Sequence, residues 1–306
     1  MDPCPTPSDE EVGAALRRLM RSFSAEITPR ETAKLPALGG VLPADTPVYL
    51  TFLARAPWEQ TVAAARWVAD SGMRPVPHLS ARYVPDRAAL RRMLAELTAI
   101  GVTDLLLVAG STDPVGEFHE TAQILDSGLL EEAGIVRVGV AGHPEGHPDV
   151  TADVLDAALV TKARIARERG IAAHIVTQFG FAAEPVVAWE NRIRAAGVDL
   201  PVHVGLPGLT SPVKLLRFGL SCGVGASLSV LRHQTGGVFK LATSAVHHPD
   251  AMLLGLAEAV AADPASLLSN VHFFPFGTLL PTAAWAGEIR NGRFTMHDRT
   301  RLSVPA

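Results

Sequence analysis

The residues of this sequence that could carry chemistry fall where short apolar runs end. Glu26 closes the run in "FSAEITPRE", Thr51 follows "VYL", and His78 sits in "PVPHLSAR". Gly110 and Ser111 follow "LLLVA", Gln178 lies in "HIVTQFGF", and His203 and Gly205 lie in "VHVGLPG". The stretch "VRVGVAGHPEGHPDV" stops at Gly142 and then presents His143, Glu145 and His147 among prolines and glycines. One carboxylic acid, one amide and several imidazoles facing a common cavity suit proton transfer and recognition of a polar heterocycle. For His174 and His203 the plainer expectation is a hydrogen-bonded place in the interior. A metal is not expected at "GHPEGH". Zinc-binding histidine pairs need a helix to bring both rings to one face, and Pro144, Gly146 and Pro148 oppose a helix. A turn exposing amides, imidazoles and a carboxylate fits a ribose or phosphate contact, and a rigid solvated loop is the equal alternative.

Glu26, among what the sequence suggests are apolar walls, is expected to have its pKa raised by desolvation, as suits a proton donor near neutral pH. The alternative is a Glu bonded to the first helix or a lysine. Gln178 offers donors and acceptors without the desolvation cost of a charge, and can read the amide edge of a pterin or nicotinamide. Phe179 and Phe181 offer an aromatic wall, although core packing is the more common use of such rings.

The elements that must position these groups alternate. Candidate strands are Ser22 to Ile27, Pro47 to Phe52, Arg74 to His78, Asp104 to Val108, Arg137 to Ala141, Ala173 to Gln178, Pro201 to Gly205 and Val271 to Pro275. Between them lie helical patterns such as "WEQTVAAARWVADSG" and "PDRAALRRMLAELTAIG", each with a C-terminal glycine signal. Alternation of this kind predicts a parallel sheet, and eight such units predict an α/β fold of the (β/α)8 TIM barrel type, with its active site at the strand C-termini. No G-x-G-x-x-G follows the first strand, which counts against a dinucleotide-binding half. An extra N-terminal helix, Asp9 to Met20, is expected to cap the barrel floor, and Leu209 to Asn270 reads as a crossover with a helical insertion before the last strand. Residues 1–306 read as a single barrel domain.

Composition narrows the partners. A net charge of −4, with no basic block, excludes a phosphate-backbone footprint, so nucleic acid is not expected. No run reaches the roughly 18 apolar residues of a membrane span, and the N-terminus has no apolar signal core. Only Cys4 and Cys222 are present, which fits a reducing cytoplasm. Oligomeric state is open, with a homo-oligomer compatible.

Taken in order, "FSAEITPRE", "PHLSAR", "LLLVAGS", "GVAGHPEGHP", "HIVTQFGF" and "HVGLPG" resemble the methylenetetrahydrofolate reductase family over nearly the whole chain. The resemblance implies a barrel holding FAD, reduced by NAD(P)H, that converts 5,10-methylenetetrahydrofolate to 5-methyltetrahydrofolate in the one-carbon metabolism that serves methionine biosynthesis. It implies Glu26 as the general acid and Gln178 as the amide that meets pterin and nicotinamide in turn. Thr51, His78, Ala109, Gly110, Ser111, Gly142, His143 and His147 fall on flavin-side positions, and either Lys162 or Arg164 meets the diphosphate. Phe181, Leu206 and Thr278 fall on the folate side. There are departures. Ser111 stands where the family usually has an acid and becomes a catalytic candidate on that account; His143 replaces a tyrosine, and Thr278 an arginine. These bear on flavin potential, folate-tail binding and flavin retention. The alternatives are a sister enzyme that oxidises methyltetrahydrofolate or dispenses with flavin, and a folate-binding barrel without catalysis. Ala306 follows soon after the last expected helix, the expectation for a short form with no regulatory domain.

Overall fold

The computed structural model describes residues 6–221 and 246–305. Eight parallel strands close into a barrel in chain order. They are β1 (Ser24–Ile27), β2 (Pro47–Leu50), β3 (Arg74–Ser80), β4 (Asp104–Val108), β5 (Arg137–Gly142), β6 (Ala172–Phe179), β7 (Val202–Pro207) and β8 (Leu268–Phe274). The seam joins the first strand to the last, with Ser24 opposite His272 and Ala25 opposite Phe273. All eight expected strands are present. β8, however, starts at Leu268 rather than Val271, because Ser269 and Asn270 interrupt its apolar run while still pairing with β7.

Helices follow most strands. α1 (Asp9–Met20) matches its expected bounds, held by a capping box in which Ser8 and Glu11 satisfy each other's backbone amides. Its apolar face, Val12, Leu16, Leu19 and Met20, is buried, and the helix packs on β8, α9 (Asp250–Ala262) and α10 (Leu279–Arg290). α2 (Trp58–Asp70) and α3 (Arg87–Thr98) end where Gly72 and Gly101 take φ of +78° and +83°, the left-handed turn that the glycine signals announced. The β1–β2 connection breaks the alternation. Pro29, Pro36, Gly39 and Gly40 leave it two 3-10 turns in place of a helix. α4 (Thr121–Leu125), α5 (Leu129–Glu132), α6 (Ala152–Arg169), α7 (Ala183–Ala195) and α8 (Pro212–Ser221) complete the helices up to the expected insertion, of which residues 222–245 lie outside the described part. A short antiparallel pair, β9 (Thr295–Met296) with β10 (Leu302–Ser303), follows α10.

The barrel has two interiors. Between strands and helices runs a large aliphatic core that includes Leu50, Leu79, Leu107, Val140, Val204 and Phe273. Inside the strands only a small apolar cluster remains, of Tyr49, Val76, Leu106 and Val176 with Val108. Strand alternation sends several other inward positions to polar residues. His174 Nε2 lies 2.8 Å from the Tyr49 hydroxyl, and its ring stacks on His203, which is 3.2 Å from the Asn270 amide. Burial pushes the His174 imidazole down to about 4 and His203 well below its ordinary value, so both are neutral, hydrogen-bonded interior histidines. At the floor, where the strands begin, Asp104 Oδ2 lies between Arg137 Nε at 2.8 Å and Arg74 Nε at 3.3 Å.

Candidate active site at the barrel mouth

Glu26, one residue from the end of β1, turns inward and keeps 14% of its side-chain surface exposed. Its Oε1 accepts from the Thr51 hydroxyl at 2.8 Å. Its Oε2 lies 3.3 Å from His78 Nε2, on β3, and 3.6 Å from His272 Nε2, on β8. The walls around this acid are thus imidazoles and a hydroxyl. Burial pushes the carboxyl up, but the charge of His78 and the ring nitrogens that His272 and His78 turn toward it outweigh burial and hold Glu26 well below the usual carboxylate range. The expected raised pKa is corrected on this point. Desolvation acts, yet the partners facing the anion win.

His272 was not anticipated. It lies within a strand rather than at its end, and strand-end reading passes over it. Its ring is fully buried, with Nδ1 2.8 Å from the Ser24 hydroxyl and an edge-on Tyr49 ring at 4.5 Å.

Gln178 lies half-buried near the end of β6, and its amide oxygen accepts from Phe179 N at 3.1 Å. A register shift between Val176 and Phe179 turns the strand here. Thr177 secures the shift, accepting from Gly205 N at 2.8 Å, and Gly205 permits it, because a Cβ there would lie 2.6 Å from the Thr177 carbonyl oxygen. Phe179 and Phe181 are buried in an aromatic cluster with Leu215, Phe274 and Phe276, which is core packing. Leu206 is fully buried in the aliphatic core outside the strands, so the structure does not bring it to the mouth. The Thr278 hydroxyl is spent in the turn before α10, donating to Pro275 O at 2.5 Å.

On the other side of the mouth the loop after β4 is pinned by Arg82. The guanidinium donates to the carbonyls of His119, Gly110 and Thr112 at 3.0, 3.4 and 3.3 Å, and Arg82 N donates to Ala109 O. Gly110 takes φ of +100°, and a Cβ there would sit 2.5 Å from Ser80 Oγ, so a side chain is excluded twice over. Ser111, next along, is exposed. After β5 the "GHPEGH" stretch is a turn, with Gly146 N donating to His143 O and φ of +88° at Gly146. The His143 and His147 rings meet edge to face at 5.4 Å, and Asp149 N donates to His147 Nδ1. Gly142, which precedes the turn, packs against Ile175 and Trp189. Burial, followed by the nearby His147 and Lys162, pushes His143 down to about 4.

Lys162 and Arg164 differ in their surroundings. Arg164 pairs with Glu168 on the exposed face of α6. Lys162 is turned inward, and burial lowers its pKa against the opposing pull of Glu120. Among the described residues no group of three or more His, Cys, Asp or Glu is arranged to hold a metal, and no helix is long and apolar enough to cross a membrane.

A family model for methylenetetrahydrofolate reductase matches residues 45–227, more than half of the chain. The chain belongs to the methylenetetrahydrofolate reductase family. This is a family of folate-related oxidoreductases, and membership makes the protein an enzyme of that broad class. The match takes in β2 to β7; β1 with Glu26 and β8 with His272 lie outside it, so what is said of those two rests on their geometry. Among solved structures the chain is similar to a putative phosphonomutase from Burkholderia cenocepacia J2315, at 13% identity over 93% of this chain and 100% of that one, with a TM-score of 0.48. It is similar also to tryptophan synthase from M. tuberculosis in its aminoacrylate-bound form, at 17% identity over 82% and 99%, with a TM-score of 0.41.

Proposed function

We propose that this chain reduces 5,10-methylenetetrahydrofolate to 5-methyltetrahydrofolate, with FAD relaying hydride from NAD(P)H. The observation that carries the reading is Glu26, recessed at the mouth of a folate-family barrel with a hydroxyl on one oxygen and two imidazoles on the other. The residues present suit a flavin dinucleotide. Lys162 is a largely buried ammonium whose desolvation only Glu120 opposes, which suits a diphosphate. His143, His147 and the backbone from Ala109 to Ser111 flank the same mouth. A bound flavin would supply two-electron transfer between the nicotinamide and the one-carbon unit.

The protein's own part concerns the proton. Opening the five-membered folate ring breaks the bond from the methylene carbon to N10, and N10 leaves as an amine that must gain a proton as hydride reaches the carbon. In the ligand-free mouth Glu26 favours the anion, so it gains its proton once the folate displaces water from the mouth and raises the cost of keeping the charge. Gln178, near the end of β6, is uncharged and can orient the flat pterin ring without opposing that transfer.

The test separates the two half-reactions by stopped flow. Glu26→Gln slows the folate half-reaction by at least about 100-fold, the scale of a lost general acid, and leaves flavin reduction by NAD(P)H nearly intact. Equal slowing of both would make Glu26 a structural residue, and no slowing of either would place the acid elsewhere. Ser111 favours a second reading, direct hydride transfer without flavin, since the acid usual in the family is replaced by an exposed hydroxyl. Purified protein lacking an oxidised-flavin absorption band, and taking up none from added FAD, would decide for that reading.

A further inference from the structure

His272 has no part in that scheme, yet its surroundings are built for a purpose that packing alone does not require. The imidazole is fully buried, and burial holds it below its ordinary pKa although Glu26 pulls the other way. A neutral ring keeps one proton, which can sit on either nitrogen. Nε2 faces Glu26 Oε2 at 3.6 Å, and a carboxylate opposite a ring nitrogen selects the tautomer with its proton there. Nδ1 is then a bare acceptor, and the Ser24 hydroxyl at 2.8 Å is placed to donate to it. At 3.6 Å the Nε2 proton is within electrostatic reach of Oε2 but beyond a standard hydrogen bond, and Nε2 has no other partner. The seam of the barrel enforces the arrangement, because Ser24 and His272 are register partners across β1 and β8.

We propose that His272, oriented by Ser24, is a positioning residue that presents an Nε2 proton to Glu26 and so sets the pH at which Glu26 holds its own. The catalytic half of this rests on the reading of Glu26 as the acid. The other groups facing Glu26 are His78 from β3 and Thr51 after β2, with the Tyr49 ring packed on both imidazoles and its hydroxyl committed to His174. None of them can replace a donor at the position of His272. His78 approaches the same oxygen from another strand, and Thr51 serves the other oxygen.

The experiment follows the Glu26 carboxyl by infrared difference titration of the ligand-free protein, its band identified by its loss in Glu26→Gln. His272→Leu moves the titration upward by about one pH unit, the usual effect of losing one donor to a carboxylate. His272→Gln, whose amide nitrogen reaches the place of Nε2, restores most of the shift. Ser24→Ala moves it the same way by less. The pH at which the folate half-reaction falls off moves in step. An unmoved Glu26 band in folded His272→Leu overturns the proposal and leaves His272 as packing; if that variant does not fold, an unmoved band in Ser24→Ala does so. A band that shifts while the folate step keeps its pH profile upholds the coupling and strikes instead at Glu26 as the acid.

Discussion

Two carboxylates at opposite ends of this barrel are built to the same plan. At the floor, Asp104 has two basic groups on Oδ2, from Arg74 and Arg137, while its Oδ1 accepts from the Thr103 hydroxyl at 2.8 Å. At the mouth, Glu26 has two basic groups on Oε2, from His78 and His272, while its Oε1 accepts from Thr51 at the same distance. The difference lies in the bases. Guanidinium stays charged at any pH the fold survives, so Asp104 faces two permanent cations. Imidazole can face a carboxylate without carrying a permanent charge, as buried His272 does, so Glu26 sits among partners that present a proton without fixing an ion pair. One plan thus yields a structural tie where the cations are permanent and a chemical site where they are not.

Four tests bear on that contrast. The largest effect is on rate. Asp104→Asn should leave the folate half-reaction within a few-fold of wild type, against the roughly 100-fold loss expected for Glu26→Gln. A comparable loss in both would mean that the two ends are not functionally distinct. Stability should respond in the opposite sense. Asp104→Asn strips Arg137 of its partner and leaves Arg74 only the exposed Asp45, and is expected to cost about 2 kcal/mol in denaturant unfolding, below the full penalty for a broken buried pair because the arginines are 27% and 41% exposed and can rehydrate. Glu26→Gln should cost less than half of that.

The third test is the pH dependence of stability. His143, His174 and His247 have pKa values pushed down from 6.5 to about 4 by burial, so the folded state refuses protons that the unfolded chain accepts. Their contribution is complete above about 6.5 and declines as pH falls toward 4. Glu26, depressed as a carboxylate, loses its share only below its ordinary value of 4.5. Denaturant midpoints should therefore be level from pH 9 to 7 and fall steadily from 6.5 to 4. A midpoint flat across the lower window would mean that these imidazoles are not buried and neutral. The smallest effects come from the matched hydroxyls. Thr103→Val should cost about 1 kcal/mol of stability without touching rate, whereas Thr51→Val should change the pH profile of the folate step more than the unfolding midpoint.

Much of the scaffold was legible because the outer core obeys simple rules. "LLLV" and "VGV" are uninterrupted apolar runs since those strands are covered by helices on one side, and Gly72 and Gly101 mark helix ends for a backbone reason that no tertiary contact overrides. The barrel interior was harder. Asn270 and His272 point inward, where ordinary barrels put Val or Leu, so β8 looked shorter than it is and its histidine looked incidental. Glu26 was found from its place at a strand end, but the state of its proton depends on His78 and His272, which are 52 and 246 positions away along the chain. His174 and His203 were weighed as bonded interior residues, and that is what they are. The exposed pairing of Arg164 depends on helix phase relative to the barrel, which periodicity alone did not fix, and Leu206, placed on the folate side by resemblance alone, lies in the outer core.

The closure of the ring at β1 and β8 has a consequence for biosynthesis. Glu26 leaves the ribosome roughly 10 to 50 s before His272 at usual elongation rates. Until the eighth strand docks beside the first, the acid has neither its buried neighbour nor the shelter of a closed mouth. A nascent or truncated chain, however well its middle strands have formed, therefore lacks the seam contact that brings His272 to Glu26. The full set of partners around the acid exists only once β8 has docked against β1.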